Sequence, residues 1–246
     1  MANLERQRIS QLDAHVITSN QVPRTVAIFC HGFGAPGDDL VPVGAQILQQ
    51  FPQLLDESVF VFPEAPLSLF DQGISNGRAW WPLDLDRLSR GLDGRDFEQM
   101  RKDLPDHLPA ARTMLLGLIE EVLQRYQLPI SKIVLGGFSQ GAMLSTDVAL
   151  QLEQPPGGLV VWSGALLNEE EWSARAGRLK GVPVIQSHGT ADPIVAPRSA
   201  DWLQELLTSS GADMNFIGFE GSHTIPMAAI TATGTLLTRL AQFENS

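Results

Sequence analysis

Short apolar runs alternate with longer amphipathic ones along most of the chain, and this alternation limits the fold more than any other feature. Val26-Ala27-Ile28-Phe29, Val59-Phe60-Val61-Phe62, Ile133-Val134-Leu135, Leu159-Val160-Val161-Trp162 and Val184-Ile185 read as buried strands, with Asn215-Phe216-Ile217 as the last. The stretches from Asp39 to Phe51, Leu108 to Tyr126, Ala142 to Leu150, Ala200 to Leu207 and Ile225 to Phe243 read as helices. Strands that are apolar on both faces and separated by helices pair in parallel, with helices on both faces of the sheet. The predicted class is therefore α/β with a mostly parallel central sheet. In such sheets ligands bind at the carboxyl ends of the strands, so chemistry is sought in the turns that follow them.

Composition narrows the field. A chain of 246 residues with 43% apolar content suits a single domain over 1–246. The net charge of −11 argues against nucleic-acid binding through phosphates, which needs clustered Lys and Arg. Cys30 is the lone cysteine, so no internal disulfide and no oxidising compartment is required. The histidines form no H-E-x-x-H or H-x-H cluster, and no metal or cofactor is implied. The segment Met1 to Arg8 is polar and lacks the apolar core of a signal peptide, and no apolar run approaches the length that spans a bilayer. The expectation is a soluble cytoplasmic protein without stable membrane insertion. Self-association into a homo-oligomer is left open.

The turn after Ile133-Val134-Leu135 is Gly137-Phe138-Ser139-Gln140-Gly141, a G-x-S-x-G between a strand and a helix. Chance alone supplies that pattern on the order of once in ten chains of this length, so its context has to decide. As a nucleophile elbow, the turn would be tight enough to require glycine at its flanks and would expose the Ser139 oxygen at the strand's end. A serine hydroxyl needs a base, usually a histidine oriented by a carboxylate. Two histidines follow Ser139. His188 precedes Asp192 by four residues and suits a brace for that turn, whereas His223 preserves the expected order of Ser, acid, His. Asp192 before Pro193 also reads as a plain turn initiator, and His223 as a surface residue; their joint placement after two strands favours Ser139, Asp192 and His223 as catalytic. The oxyanion would be held by the backbone amides of Gln140, after the nucleophile, and Phe33, in the loop His31-Gly32-Phe33-Gly34 after an early strand. His31 suits bracing of that loop.

These elements resemble the acyl-protein thioesterase, phospholipase and carboxylesterase branch of the α/β-hydrolases. The resemblance runs through His31-Gly32-Phe33-Gly34-Ala35-Pro36-Gly37-Asp38-Asp39-Leu40, Phe62-Pro63-Glu64-Ala65-Pro66, Gly137 to Ala142, Ser163-Gly164, His188 to Val195 and Gly221-Ser222-His223. It implies the α/β-hydrolase fold and the roles just given to Ser139, Asp192, His223, Phe33 and Gln140. It also implies cleavage of a small-molecule carboxylic ester or thioester through an acyl-enzyme. Two departures concern the substrate. Asp84 to His107 is charged, lacks an apolar period and reads either as a solvated excursion or as a lid or pocket wall. The segment before it carries adjacent Trp80 and Trp81, which either line an acyl pocket or fill the core. Leu166 and Val195 are further candidates for an apolar acyl wall. A lyase or peptidase using the same residues, and a non-catalytic binder on this scaffold, remain as rival readings.

Overall fold

A computed structural model describes residues 2–19, 21–83 and 95–242. The first part of the charged stretch, 84–94, lies outside the described residues. Among the described residues the main sheet has eight strands, which lie side by side in the order β1 (Asn3–Ile9), β2 (Leu12–Thr18), β4 (Ser58–Pro63), β3 (Thr25–Cys30), β7 (Ile133–Phe138), β8 (Gly158–Trp162), β9 (Pro183–Gly189) and β10 (Asp213–Phe219). A small ladder between β5 (Leu67–Ser68) and β6 (Arg78–Ala79) stands apart. From β4 to β10 every pairing in the main sheet is parallel, while β1 and β2 join it antiparallel. The mostly parallel sheet expected from the sequence is thus the one observed.

The antiparallel hairpin at the amino terminus was not foreseen from the apolar runs. Its outer strand is polar, with only Ile9 buried, because it forms the sheet's edge. The inner strand alternates at first, burying Leu12, Ala14 and Val16 on one face, and ends with Ile17 buried in the core on the other.

Alternation within the central strands feeds two separate cores. Val26, Ile28, Val59, Val61, Leu135 and Val161 pack on one face with α4 (Leu108–Tyr126) and α5 (Gln140–Gln151). Ala27, Phe29, Phe60, Phe62, Val134 and Trp162 pack on the other with α1 (Val41–Gln50) and the final helix, Met227–Gln242; two short helices, α2 (Leu54–Glu57) and α3 (Arg95–Met100), fall between α1 and α4 along the chain. Burial on both faces explains why these strands read as unbroken apolar runs. Proline in the first turn opens both α1 and α4, where its missing N–H breaks no helical bond.

One buried ion pair secures the helix that carries the elbow. Asp147, on α5, has no exposed side-chain surface. Arg112 of α4 donates to both its oxygens at 2.6 and 2.9 Å, and the Trp172 indole donates at 2.9 Å. Removing the carboxylate would leave the buried Trp172 indole N–H without its acceptor and the Arg112 guanidinium to the weaker contact with Glu171, 3.5 Å away. Asp147→Ala is expected to lower unfolding free energy by about 3–5 kcal/mol, the usual cost of breaking a buried pair from one side. Urea denaturation measures this directly, and a loss below about 1 kcal/mol would contradict it.

Candidate active site

Ser139 sits between β7 and α5 at φ 53°, ψ −118°, a conformation that a non-glycine residue adopts at a cost. Its N–H donates to the Trp162 carbonyl at 2.8 Å, while its own carbonyl accepts from Ala142 and Met143. The elbow therefore hangs between the neighbouring strand and the first turn of the helix. A Cβ at Gly137 or Gly141 would collide with the Cys30 carbonyl, so the flanking glycines are required by the close approach of β3.

Asp192 and His223 arrive from neighbouring strands. Thr190 N–H donates to the Phe219 carbonyl at 2.9 Å and Ala191 N–H to Gly221 at 3.0 Å, which draws together the turns after β9 and β10. There His223 Nδ1 lies 2.7 Å from Asp192 Oδ2. The other carboxylate oxygen accepts the amides of Ile194 and Val195 at 2.8 and 2.9 Å. Burial by itself raises this carboxyl group, yet the bonds from His223, Val195 and Ile194 outweigh it and hold Asp192 below the ordinary carboxylate range. The ionised acceptor keeps the proton of a neutral His223 on Nδ1 and leaves Nε2 as the basic nitrogen. The ring packs against Phe138, next to Ser139, with centroids 4.6 Å apart. His188 places Nε2 2.9 Å from the Val195 carbonyl, bracing the same turn.

The loop after β3 is held on several sides. Gly34 N–H donates to the Arg78 carbonyl at 2.9 Å, and Arg78 N–H donates to Ala35 at 3.1 Å. His31 accepts the Ala65 amide on Nε2 at 3.1 Å, which leaves its proton on Nδ1 to bond the Gly32 carbonyl at 2.8 Å. Burial pushes the pKa of His31 down to about 4, so the ring is neutral at pH 7. The Arg78 guanidinium donates to the carbonyls of Ala65 and Pro66. Neither Arg78 nor the side chain of Gln140 stood out in the sequence, because their partners are backbone groups distant along the chain.

Ser139, Gln140, Phe33 and His223 all border a cavity of about 840 Å³. Trp81, Leu166 and Val195 line it as well, together with Phe138, Met143 and Leu167. Trp81 is buried and its indole N–H has no partner among the described residues. Trp80 does not border the cavity: it is buried in the core, and its indole donates to the His31 carbonyl at 2.9 Å. Of the charged stretch, Arg101, Asp103, Pro105, Asp106 and His107 form part of the wall. That segment docks through its Arg101 and Asp103 carbonyls, which accept the amides of Glu169 and Asn168. Arg101 also stacks on Trp202, 4.3 Å from the ring centroid.

A mostly parallel sheet with helices on both faces and a strand–elbow–helix unit at Ser139 is the architecture of an α/β-hydrolase. Residues 12–238 match the family model described as Phospholipase/Carboxylesterase, and the chain belongs to that family. It is 30% identical over 208 residues to acyl-protein thioesterase 1 of Candida albicans, covering 80% of this chain and 84% of that protein. Acyl-protein thioesterase 1 of Mycosarcoma maydis is 29% identical over 228 residues, covering 90% of each. Among solved structures, esterase PE8 shares the fold at a TM-score of 0.75, with 23% identity over 97% of this chain and 99% of its own. A carboxylesterase from Mesorhizobium loti does so at 0.74, with 16% identity over 96% of this chain and 99% of its own.

The neutral His31 makes stability fall with acidity in a defined window. An unfolded histidine takes up its proton as pH drops through 6.5, while the buried ring resists until about 4, so the unfolded state binds more protons in between. Burial lowers His188 in the same direction. Unfolding free energy is expected to decline as pH falls from 6.5 to about 4, and His31→Gln should flatten part of that decline. Denaturant titrations at several pH values test this; an unchanged slope in the variant would refute it.

Proposed function

We propose that this protein hydrolyses carboxylic esters and thioesters through Ser139, His223 and Asp192. The observation that carries the reading is the 2.7 Å contact between His223 and the buried Asp192, with His223 and the strained Ser139 both bordering one cavity. Ser139 Oγ attacks the acyl carbonyl as its proton passes to His223 Nε2, and Asp192 stabilises the imidazolium. The tetrahedral oxyanion receives the amides of Phe33 and Gln140. Collapse breaks the bond to the alkoxide or thiolate, which leaves with the proton from His223. Water then enters, gives its proton to the same histidine and attacks the acyl-enzyme. The second tetrahedral species collapses, Ser139 recovers its proton and the carboxylic acid departs.

The apolar wall of Trp81, Leu166, Val195 and Met143 suits the acyl portion. The curated relatives named acyl-protein thioesterase support including thioesters. We read residues 1–246 as one hydrolase domain, with the segment before α4 as an insertion that shapes the pocket. No helix among the described residues is long and apolar enough to cross a membrane.

Ser139→Ala is expected to lower turnover by about 10⁶-fold on the preferred ester, the scale of losing a triad nucleophile. The test is a panel of short to long acyl esters with matched thioesters, run on wild type and variant beside fluorophosphonate labelling. Near wild-type turnover in Ser139→Ala would overturn the reading. Absent labelling with retained ligand binding would instead mark a non-catalytic binder.

A further inference from the structure

The side chain of Gln140 does something that the proposed mechanism does not use. It is buried, with 1% exposure, on the first residue of the elbow helix. Its Oε1 accepts the Trp80 amide at 2.9 Å and its Nε2 donates to the Trp81 carbonyl at 2.8 Å. A primary amide is the side-chain group that pairs in this way with an extended segment, offering an acceptor and a donor side by side. Both bonds are made across about 60 residues of chain, to a segment that belongs to neither the sheet nor the elbow.

That segment is tied in turn to the loop carrying Phe33. The Trp80 indole N–H donates to the His31 carbonyl at 2.9 Å, and the two rings lie 5.6 Å apart. His31 bonds the Gly32 carbonyl through Nδ1 at 2.8 Å, one residue before Phe33. Gly32 itself rests on the elbow, where an added Cβ would lie 3.2 Å from the Phe138 ring and 3.4 Å from Ser139 Cβ. A continuous series of hydrogen bonds therefore runs from the side chain of Gln140, through Trp80 and His31, to the peptide beside Phe33.

We propose that Gln140 is a positioning residue whose side chain, through Trp80 and His31, sets the spacing between its own amide and that of Phe33. This rests on the reading of Phe33 and Gln140 as oxyanion donors. Two donors must converge on one developing oxyanion, and misplacement by about 1 Å can cost roughly 100-fold in rate. Without the strut, the loop after β3 and the elbow are joined near Ser139 chiefly by packing. The strut matters most when charge develops on the carbonyl oxygen and least for ground-state binding.

The variants are Gln140→Met, which keeps length and apolar volume but loses both bonds, and Trp80→Phe, which keeps a ring but loses the indole donor. Each is expected to lower kcat by roughly 10- to 100-fold with KM changed less than about threefold. Affinity for a trifluoromethyl ketone, which presents an oxyanion once Ser139 adds to it, should fall in parallel. Affinity for the carboxylic acid product should not change. The double variant should lose little beyond the weaker single, because both interrupt one series of bonds. Unchanged kcat in both singles, or a loss shared equally by KM and product affinity, would overturn the proposal. If Gln140→Met fails to fold, Trp80→Phe decides alone by the same criteria. Ser139→Ala run alongside separates the two readings. An inactive Ser139→Ala beside an unaffected Gln140→Met defeats only the positioning role, whereas an active Ser139→Ala defeats the mechanism on which it rests.

Discussion

The backbone carbonyl of Cys30 lies against the backbone of Gly137 and Gly141, and the arrangement at the cavity follows from that approach. β3 and β7 are parallel neighbours, so the chain leaving β3 emerges beside the elbow that leaves β7. Any side-chain carbon at either glycine would force the two apart. With hydrogen there, the loop from His31 to Gly34 rides directly over Ser139. The positive φ of Ser139 is then tolerated because the sheet on one side and the helix on the other over-determine it.

The acid–histidine arm is assembled by a different part of the same sheet. β9 and β10 run in parallel to one level, and backbone bonds from Thr190 and Ala191 fasten the turn after one to the turn after the other. Asp192 is buried there, a position that would disfavour its charge but for the amides of Ile194 and Val195 and the imidazole of His223. The proposed nucleophile and the proposed base thus sit on separate strand ends and border one cavity because parallel strands deliver their turns to one edge. Phe138, packed on His223, links the two sides.

Much of this was legible from residue order. The buried strands announced themselves because a strand covered on both faces has no polar side to interrupt the run. The elbow was legible because its glycines are a local steric requirement, and Asp192 and His223 because each follows a strand. The amino-terminal hairpin was not, since an edge strand such as Asn3–Ile9 is mostly solvated and resembles a polar tail. Trp80 and Trp81 could not be told apart either. Both are buried, yet one borders the cavity and the other donates to His31 from within the core. The segment 101–107 lacked an apolar period because backbone carbonyls, not an apolar stripe, dock it against residues 168–169.

Periodicity reports how much of each residue is covered, and spacing reports what a turn can tolerate. On those grounds residue order alone yields the α/β class, the place of Ser139 between a strand and a helix, and the order in which its proposed partners appear. Which groups come into contact is settled by the packing of distant parts of the chain. Gln140 and Trp80 are 60 residues apart, and Arg112 and Asp147 are 35 apart; neither pairing leaves a mark in local pattern. Most buried polar groups are paired with a partner of matching chemistry, and which one each finds is set by how the layers stack.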